Sequence, residues 1–328
     1  MKLQGQRVVV TGAAGFIGSH LVETLVASEG ARVSALVRYK SDQSIGCLAY
    51  LPPEILERVE IVHGDLCYQE TLLDLIKPGD IVFHLGALIS VPYSFKNPLA
   101  FEEVNVKGTA NLLHVCRQSQ VRRLLVMSTA EVYGTAQYIP IDEAHPLSPH
   151  SPYAATKIAA EKLAESFWRA YQFPTTIVRP FNAFGPRQSE RAVIPTIIGQ
   201  ALHSDTIRLG NIGPERDFTY VKDTVRALIE LACTPEACGR TINIGTGRGV
   251  SVQELVQTTS DLLGKKLNIV VDQQRVRTGT SEVQRHAAQT ALLHSLIDWR
   301  PTFDLVSGLH NVIEWMTRQE CKLPAYAI

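Results

Sequence analysis

Four residues in the middle of the chain are of types that move protons: Thr129, Glu131, Tyr153 and Lys157. Tyr153 and Lys157 fall in Ser151-Pro152-Tyr153-Ala154-Ala155-Thr156-Lys157, and a spacing of four puts them on one face of a helix. An ammonium near a phenol favours the phenolate and lowers a pKa that starts at about 10. Tyr153 is then a usable base for an alcohol near neutral pH. Thr129 and Glu131 lie in Ser128-Thr129-Ala130-Glu131-Val132-Tyr133-Gly134, directly after an apolar run. A hydroxyl pair and a carboxylate there are placed for chemistry, although Glu131 taken alone also reads as a solvated loop residue. A third stretch, Val8 to Gly18, spaces glycines as G-x-x-G-x-x-G between three valines and a helical pattern. A strand that turns straight into a helix aims N–H groups at one point, here those of Phe16 and Ile17, together with the positive end of the helix dipole. Gly12, Gly15 and Gly18 let that backbone close on a ligand, and the natural occupant is a pyrophosphate. The plain alternative is a structural turn with no ligand.

These residues need a scaffold that brings them together. Ligands of an open parallel sheet bind outside the carboxyl ends of its strands. Arg32–Val37, Val59–His63, Ile81–Leu85 and Arg123–Met127 read as further strands, each ending in a polar or small stretch. The second ends at Arg38-Tyr39-Lys40, twenty residues past Gly18, where a dinucleotide fold reads the adenosine ribose. Two cations suit a ribose 2′-phosphate better than a diol, so NADP is favoured over NAD. Asp65, followed by Leu66, can accept from an adenine amino group. Leu85 leads into Gly86-Ala87, small residues past which backbone can approach the cofactor. His84 reads as a satisfied core histidine. Phe101–Arg117 reads as a helix in which Asn105 fixes backbone through its amide. Ser151 is a good N-cap for a helix running to about Tyr171, with proline at its first position.

Composition limits the alternatives. At 328 residues the chain suits one large α/β unit with a second lobe. Lysine plus arginine equals aspartate plus glutamate, so no net field draws nucleic acid or an anionic membrane. No run approaches the length of a membrane span and nothing at the start resembles a signal peptide, so a cytoplasmic protein is expected. The six cysteines are scattered and complete no zinc site; no metal is expected.

The ordered set TGAAGFIG, GDL, HLGA, NVKGT, STAEVYG, YAATK, RPFNAFGPR and RDFTYVKD resembles the extended short-chain dehydrogenase/reductases of the nucleotide-sugar epimerase/dehydratase family. The likeness runs from Thr11 to Asp223 and continues more weakly into RVRTGTSEV. It implies a doubly wound α/β Rossmann domain over residues 1–180, rejoined at about 221–245. A smaller, discontinuous nucleotide-sugar lobe would then span 181–220 and 246–328. It further implies a tightly bound, recycled NAD(P) and Tyr153 and Lys157 touching both cofactor and substrate. Asn182, Arg216 and Arg277 would hold the diphosphate and sugar. A homodimer would form through a four-helix seam made by Phe101–Arg117 and Pro152–Tyr171.

The reaction is open among three enzyme readings that share a first step, in which Tyr153 takes the proton of a sugar 4-hydroxyl while hydride leaves C4. A 4-epimerase returns the hydride to the opposite face. A 4,6-dehydratase uses a carboxylate to take the C5 proton and expels water from C6. A glucuronate decarboxylase loses carbon dioxide. A non-enzymatic dinucleotide sensor on the same fold would be expected to have lost Tyr153 or Lys157. Glu131 favours the dehydratase, and ALVRY, ALISVPYS and RTGTSEV resemble the 4,6-dehydratases acting on nucleotide-linked N-acetylglucosamine in legionaminic-acid-type pathways. Ala130 stands where glucose-type dehydratases carry an acidic residue, so a hydroxyl, a water or Glu131 itself must act as the acid.

Overall fold

In a computed structural model the described residues are 2–272 and 285–319. Their strands are β1 (Arg7–Thr11), β2 (Arg32–Val37), β3 (Val59–His63), β4 (Ile81–His84), β5 (Arg123–Met127), β6 (Thr175–Pro180), β7 (Asn182–Phe184), β8 (Thr206–Leu209), β9 (Glu215–Tyr220), β10 (Thr241–Ile244), β11 (Gly249–Ser251) and β12 (Asn268–Val271). Seven of them form one sheet in the order β10-β6-β5-β4-β1-β2-β3, every pairing parallel. This is the expected doubly wound α/β sheet. The order of connection reverses between β1 and β4, where Thr11 lies opposite His84, and the crevice beyond their carboxyl ends is the natural ligand site.

The valines of β1 show why the run is uninterrupted. Val8 and Val10 point to one face and Val9 to the other, as the strand period of two requires. Both faces are covered by helices, so both sides of the Val8–Val10 run are apolar. The first face packs Leu21, Leu25, Val225, Leu228 and Trp299; the second packs Leu112, Leu124 and Ala164. A separate core holds Phe184, Ile197, Ile207, Phe218, Leu255 and Val312, and belongs to a smaller lobe built on the sheets β11-β9-β7 and β12-β8. Within the segment 246–328, however, Leu293, Ile297 and Trp299 pack in the core of the large sheet, and the Trp299 indole donates to the Asp223 carbonyl at 2.9 Å.

The helix expected over Phe101–Arg117 is not continuous. A short helix Pro98–Phe101 leads into a π-helical turn at Glu102–Lys107, and an α-helix follows at Gly108–Gln118. The inserted residue turns Asn105 inward. Its amide accepts from Leu88 N at 2.8 Å and donates to Leu88 O at 3.0 Å and to Thr156 Oγ1 at 3.1 Å. Such single-turn insertions mark functional sites, and this one ties the loop after β4 to the helix Pro152–Tyr171.

Candidate active site

The glycine turn has the geometry its spacing requires. Gly12 has φ +71°, and a Cβ there would meet Gly86 N at 2.6 Å. At Gly18 a Cβ would lie 2.1 Å from the Gly12 carbonyl. Gly15 differs: its φ is −84°, and only the Gly12 carbonyl, at 3.2 Å, comes near a Cβ built on it. The protein's own atoms leave room over Gly15, which is where a ligand's close approach would need it. Alanine at position 18 is expected to destabilise the fold by about 1–3 kcal/mol and to weaken dinucleotide binding. Both are read directly, by thermal unfolding and by titration calorimetry; an unchanged Tm would contradict the packing described.

A cleft of about 420 Å³ opens at this turn. Gly12, Gly15, Phe16, Ile17 and Gly18 line one side. Arg38, Asp65, Leu66, Leu85 and Ala87 line the rest, with Lys40 beside Arg38. Gly46, Val104 and Met127 also line it and carried no signal in the sequence, since each arrives from a loop, turn or strand end through tertiary packing. The residues fit a dinucleotide: a helix N-terminus over a cradle a side chain would fill, with cations where the ribose edge would lie.

Beneath the cleft floor a directed hydrogen-bond chain settles the state of His84. The Thr109 hydroxyl donates to Asn105 O at 2.6 Å, so its oxygen accepts from His84 Nε2–H at 2.9 Å. His84 Nδ1 then accepts from the Thr11 hydroxyl at 2.8 Å, and Thr11 Oγ1 accepts from Gly86 N at 3.1 Å. Burial, reinforced by the Lys157 charge, brings the His84 pKa down to about 3, so the ring is neutral. His84 is structural, as the sequence suggests: it holds Gly86 against the glycine turn.

Tyr153 and Lys157 lie on the helix Pro152–Tyr171, capped by Ser151 Oγ accepting from Ala154 N at 3.1 Å. Both are buried. Their electrostatics depart from the expectation. Burial pushes the Tyr153 phenol well above its ordinary value, the Thr129 hydroxyl bonded to it pulls the other way, and the Glu131 charge adds to the rise. Burial brings the Lys157 ammonium down to about 8, opposed by Glu161. Lys157 Nζ donates to the Met127 carbonyl at 2.7 Å. Thr129, not Lys157, is therefore the group that favours the phenolate here.

Thr129 stands between the two candidate bases. Its oxygen accepts from the Glu131 main-chain N–H at 3.2 Å, opening the turn Ala130–Tyr133, and its hydroxyl is near enough to the Tyr153 phenol to oppose the rise in its pKa. Glu131 lines a second cleft, of about 360 Å³, together with Asn182 and Arg216. Gln188 and Arg191 line it too; both stand in the RPFNAFGPRQSER stretch, though neither was singled out by spacing or type. Arg277 lies outside the described residues. Among the described residues no group of three His, Cys, Asp or Glu side chains could hold a metal ion, and no helix is long and apolar enough to cross a membrane.

A seven-stranded parallel sheet with this turn and this Tyr-x-x-x-Lys helix defines an extended short-chain dehydrogenase/reductase. The GDP-mannose 4,6 dehydratase family profile matches residues 9–312, and the chain belongs to that family of nucleotide-sugar dehydratases and epimerases. It is 32% identical over 318 residues to the dTDP-D-glucose 4,6-dehydratase of Mus musculus, covering 94% of this chain and 88% of the relative. Among solved structures it resembles the UDP-N-acetylglucosamine 4-epimerase of Methanobrevibacter ruminantium M1, with TM-score 0.86 and 31% identity over 97% of this chain and all (100%) of that one. It also resembles a double mutant of DesIV, the dTDP-glucose 4,6-dehydratase of Streptomyces venezuelae, solved with NAD bound. There the TM-score is 0.84 and the identity 27%, over 96% of this chain and 98% of the other.

Proposed function

We propose that the chain is an NAD(P)-dependent nucleotide-sugar 4,6-dehydratase acting on an N-acetylglucosamine-type hexose, and that it works as a homodimer paired through Phe101–Arg117 and Pro152–Tyr171. The observation that carries the reaction is the position of Glu131: it lines the cleft that holds Asn182 and Arg216, and its charge acts on the Tyr153 phenol. Asn182 and Arg216 hold the diphosphate and sugar, with Arg277 as a further phosphate ligand; arginine forks suit phosphate oxygens. A dinucleotide held over Gly12, Gly15 and Gly18 would supply a reversible hydride acceptor for C4 and donor for C6, so no reduced cofactor would accumulate.

The chain's own residues do the proton work. The minor phenolate form of Tyr153 takes the proton of the 4-hydroxyl while the Thr129 hydroxyl donates to the developing oxyanion. Once C4 is a ketone, the C5 proton is acidic enough for a carboxylate, and Glu131 removes it. The C6–O bond then breaks and the hydroxide leaves as water. Alanine at 130 cannot supply the proton, so Glu131, protonated by the preceding step, returns it to the C6 oxygen; Glu131 then takes a proton from solvent and delivers it to C5 as hydride adds at C6. A 4-epimerase, as in the methanogen neighbour, has no use for the carboxylate at 131. Mass spectrometry of the sugar after incubation with UDP-, GDP- and dTDP-linked hexoses tests the reading. The expected product is lighter by one water; an unchanged mass with inverted C4, or loss of carbon dioxide, overturns it.

NADP is the proposed dinucleotide, because Arg38 and Lys40 both line the cleft where the ribose edge would lie. Arg38→Asp is expected to shift the NADP/NAD affinity ratio by about tenfold or more toward NAD, the worth of one charge-assisted phosphate contact. Equal affinity of the unaltered protein for the two would reject the assignment.

A further inference from the structure

A buried ion pair lies behind the catalytic groups and touches neither cleft. Arg179 on β6 grips Glu161 with two parallel bonds, Nε to Oε1 at 2.9 Å and Nη2 to Oε2 at 2.7 Å. Both side chains are almost fully buried, 5% and 3% exposed. The third arm, Nη1, donates to Tyr133 Oη at 2.9 Å, and the guanidinium carbon stands 4.9 Å from the Tyr133 ring centroid. Tyr133 Oη donates onward to Asn243 Oδ1 at 2.6 Å, and Asn243 Nδ2 donates to Ile141 O at 3.0 Å. Glu161 is on the helix that carries Tyr153 and Lys157, one turn beyond Lys157. Tyr133 ends the turn that carries Glu131.

We propose that Glu161 and Arg179 are positioning residues: their bidentate pair fixes the spacing between the Pro152–Tyr171 helix, with Tyr153 and Lys157, and the Ala130–Tyr133 turn, with Glu131. The inference rests on the reading of Tyr153, Lys157 and Glu131 as the catalytic groups. A buried ion pair is a poor device for stability alone, since well-packed apolar side chains of similar volume do as well or better. A planar fork bound on two edges and on a third arm sets distance and angle, which apolar packing sets less strictly. The pair also has an electrostatic effect. The titratable groups near the Lys157 ammonium are Tyr153 one turn back, Glu161 one turn on and His84 on β4, and the Met127 carbonyl accepts from it. Of these Glu161 alone is negatively charged while Tyr153 is protonated and His84 neutral. Lys157 stands one helical turn from Tyr153, and its titration, brought down to about 8 by burial, bears on one limb of the kcat–pH profile. The Glu161 charge resists loss of the Lys157 proton.

Glu161→Gln is therefore expected to lower kcat about tenfold, as a small misplacement of catalytic groups does, with KM within twofold of the starting value. The limb of the kcat–pH profile set by Lys157 is expected to move down by about one pH unit. Because Glu161→Gln leaves Arg179 buried without its full partner, Glu161→Met/Arg179→Met is measured beside it. The double variant is expected to recover Tm while kcat and that limb stay displaced. If any folded variant keeps the original limb and kcat, or if KM rises with kcat unchanged, the pair is not a positioning device. Failure of the underlying reading has a different signature, undiminished turnover by Tyr153→Phe. Failure of the dehydratase assignment alone shows as an epimeric product and leaves the pH comparison intact.

Discussion

Tyr153→Phe is expected to lower kcat about a hundred- to ten-thousand-fold, the range for loss of a positioned acid–base group, with substrate and cofactor affinities little changed. The phenylalanine keeps the ring packed edge-on against Phe101, at 6.3 Å between centroids, so the fold has no reason to respond. What disappears is the phenolic oxygen that takes the 4-hydroxyl proton. Every reading of the reaction passes through that step, so the first hydride transfer should fail with the rest. Stopped-flow absorbance of the nicotinamide after adding substrate checks this separately from product formation. Rapid cofactor reduction in the variant would mean that another group takes the proton.

Glu131→Gln is the second large effect and divides the readings. The amide keeps the size of the side chain and leaves the Glu131 N–H bond to Thr129 in place, but it cannot accept a proton from carbon. The variant is expected to reduce bound cofactor on mixing with substrate and then stall, with net product falling by at least about a hundredfold. Wild-type turnover by Glu131→Gln would remove the carboxylate from the mechanism and return the epimerase reading.

How far these expectations were visible beforehand differs from residue to residue. The glycine turn was legible because its constraints are local: positive φ at Gly12 and contact between Gly18 and the Gly12 carbonyl lie within seven residues. The valines of β1 were legible because both faces of a covered parallel sheet must be apolar. The π-helical turn at Glu102–Lys107 was not, because its cause is a bond from Asn105 to the loop after β4, seventeen residues away. The Arg179–Glu161 pair was invisible for the same reason, being two ordinary letters eighteen apart. Burial sets the sign of the Tyr153 shift, and helical spacing reports adjacency and says nothing of burial. Spacing set Lys157 beside the phenol, but the ammonium is bonded to the Met127 carbonyl and desolvation outweighs it.

In the proposed reaction the carboxylate at 131 exchanges a proton with sugar C5 as water is lost from C6. Turnover in deuterated water, with the product followed by mass spectrometry and proton NMR, measures that exchange directly. The unaltered enzyme is expected to give a 4-keto-6-deoxy sugar carrying solvent deuterium at C5, and Glu131→Gln neither product nor exchange. A C4 epimer of full mass with no solvent deuterium at C5 would contradict the dehydratase reading.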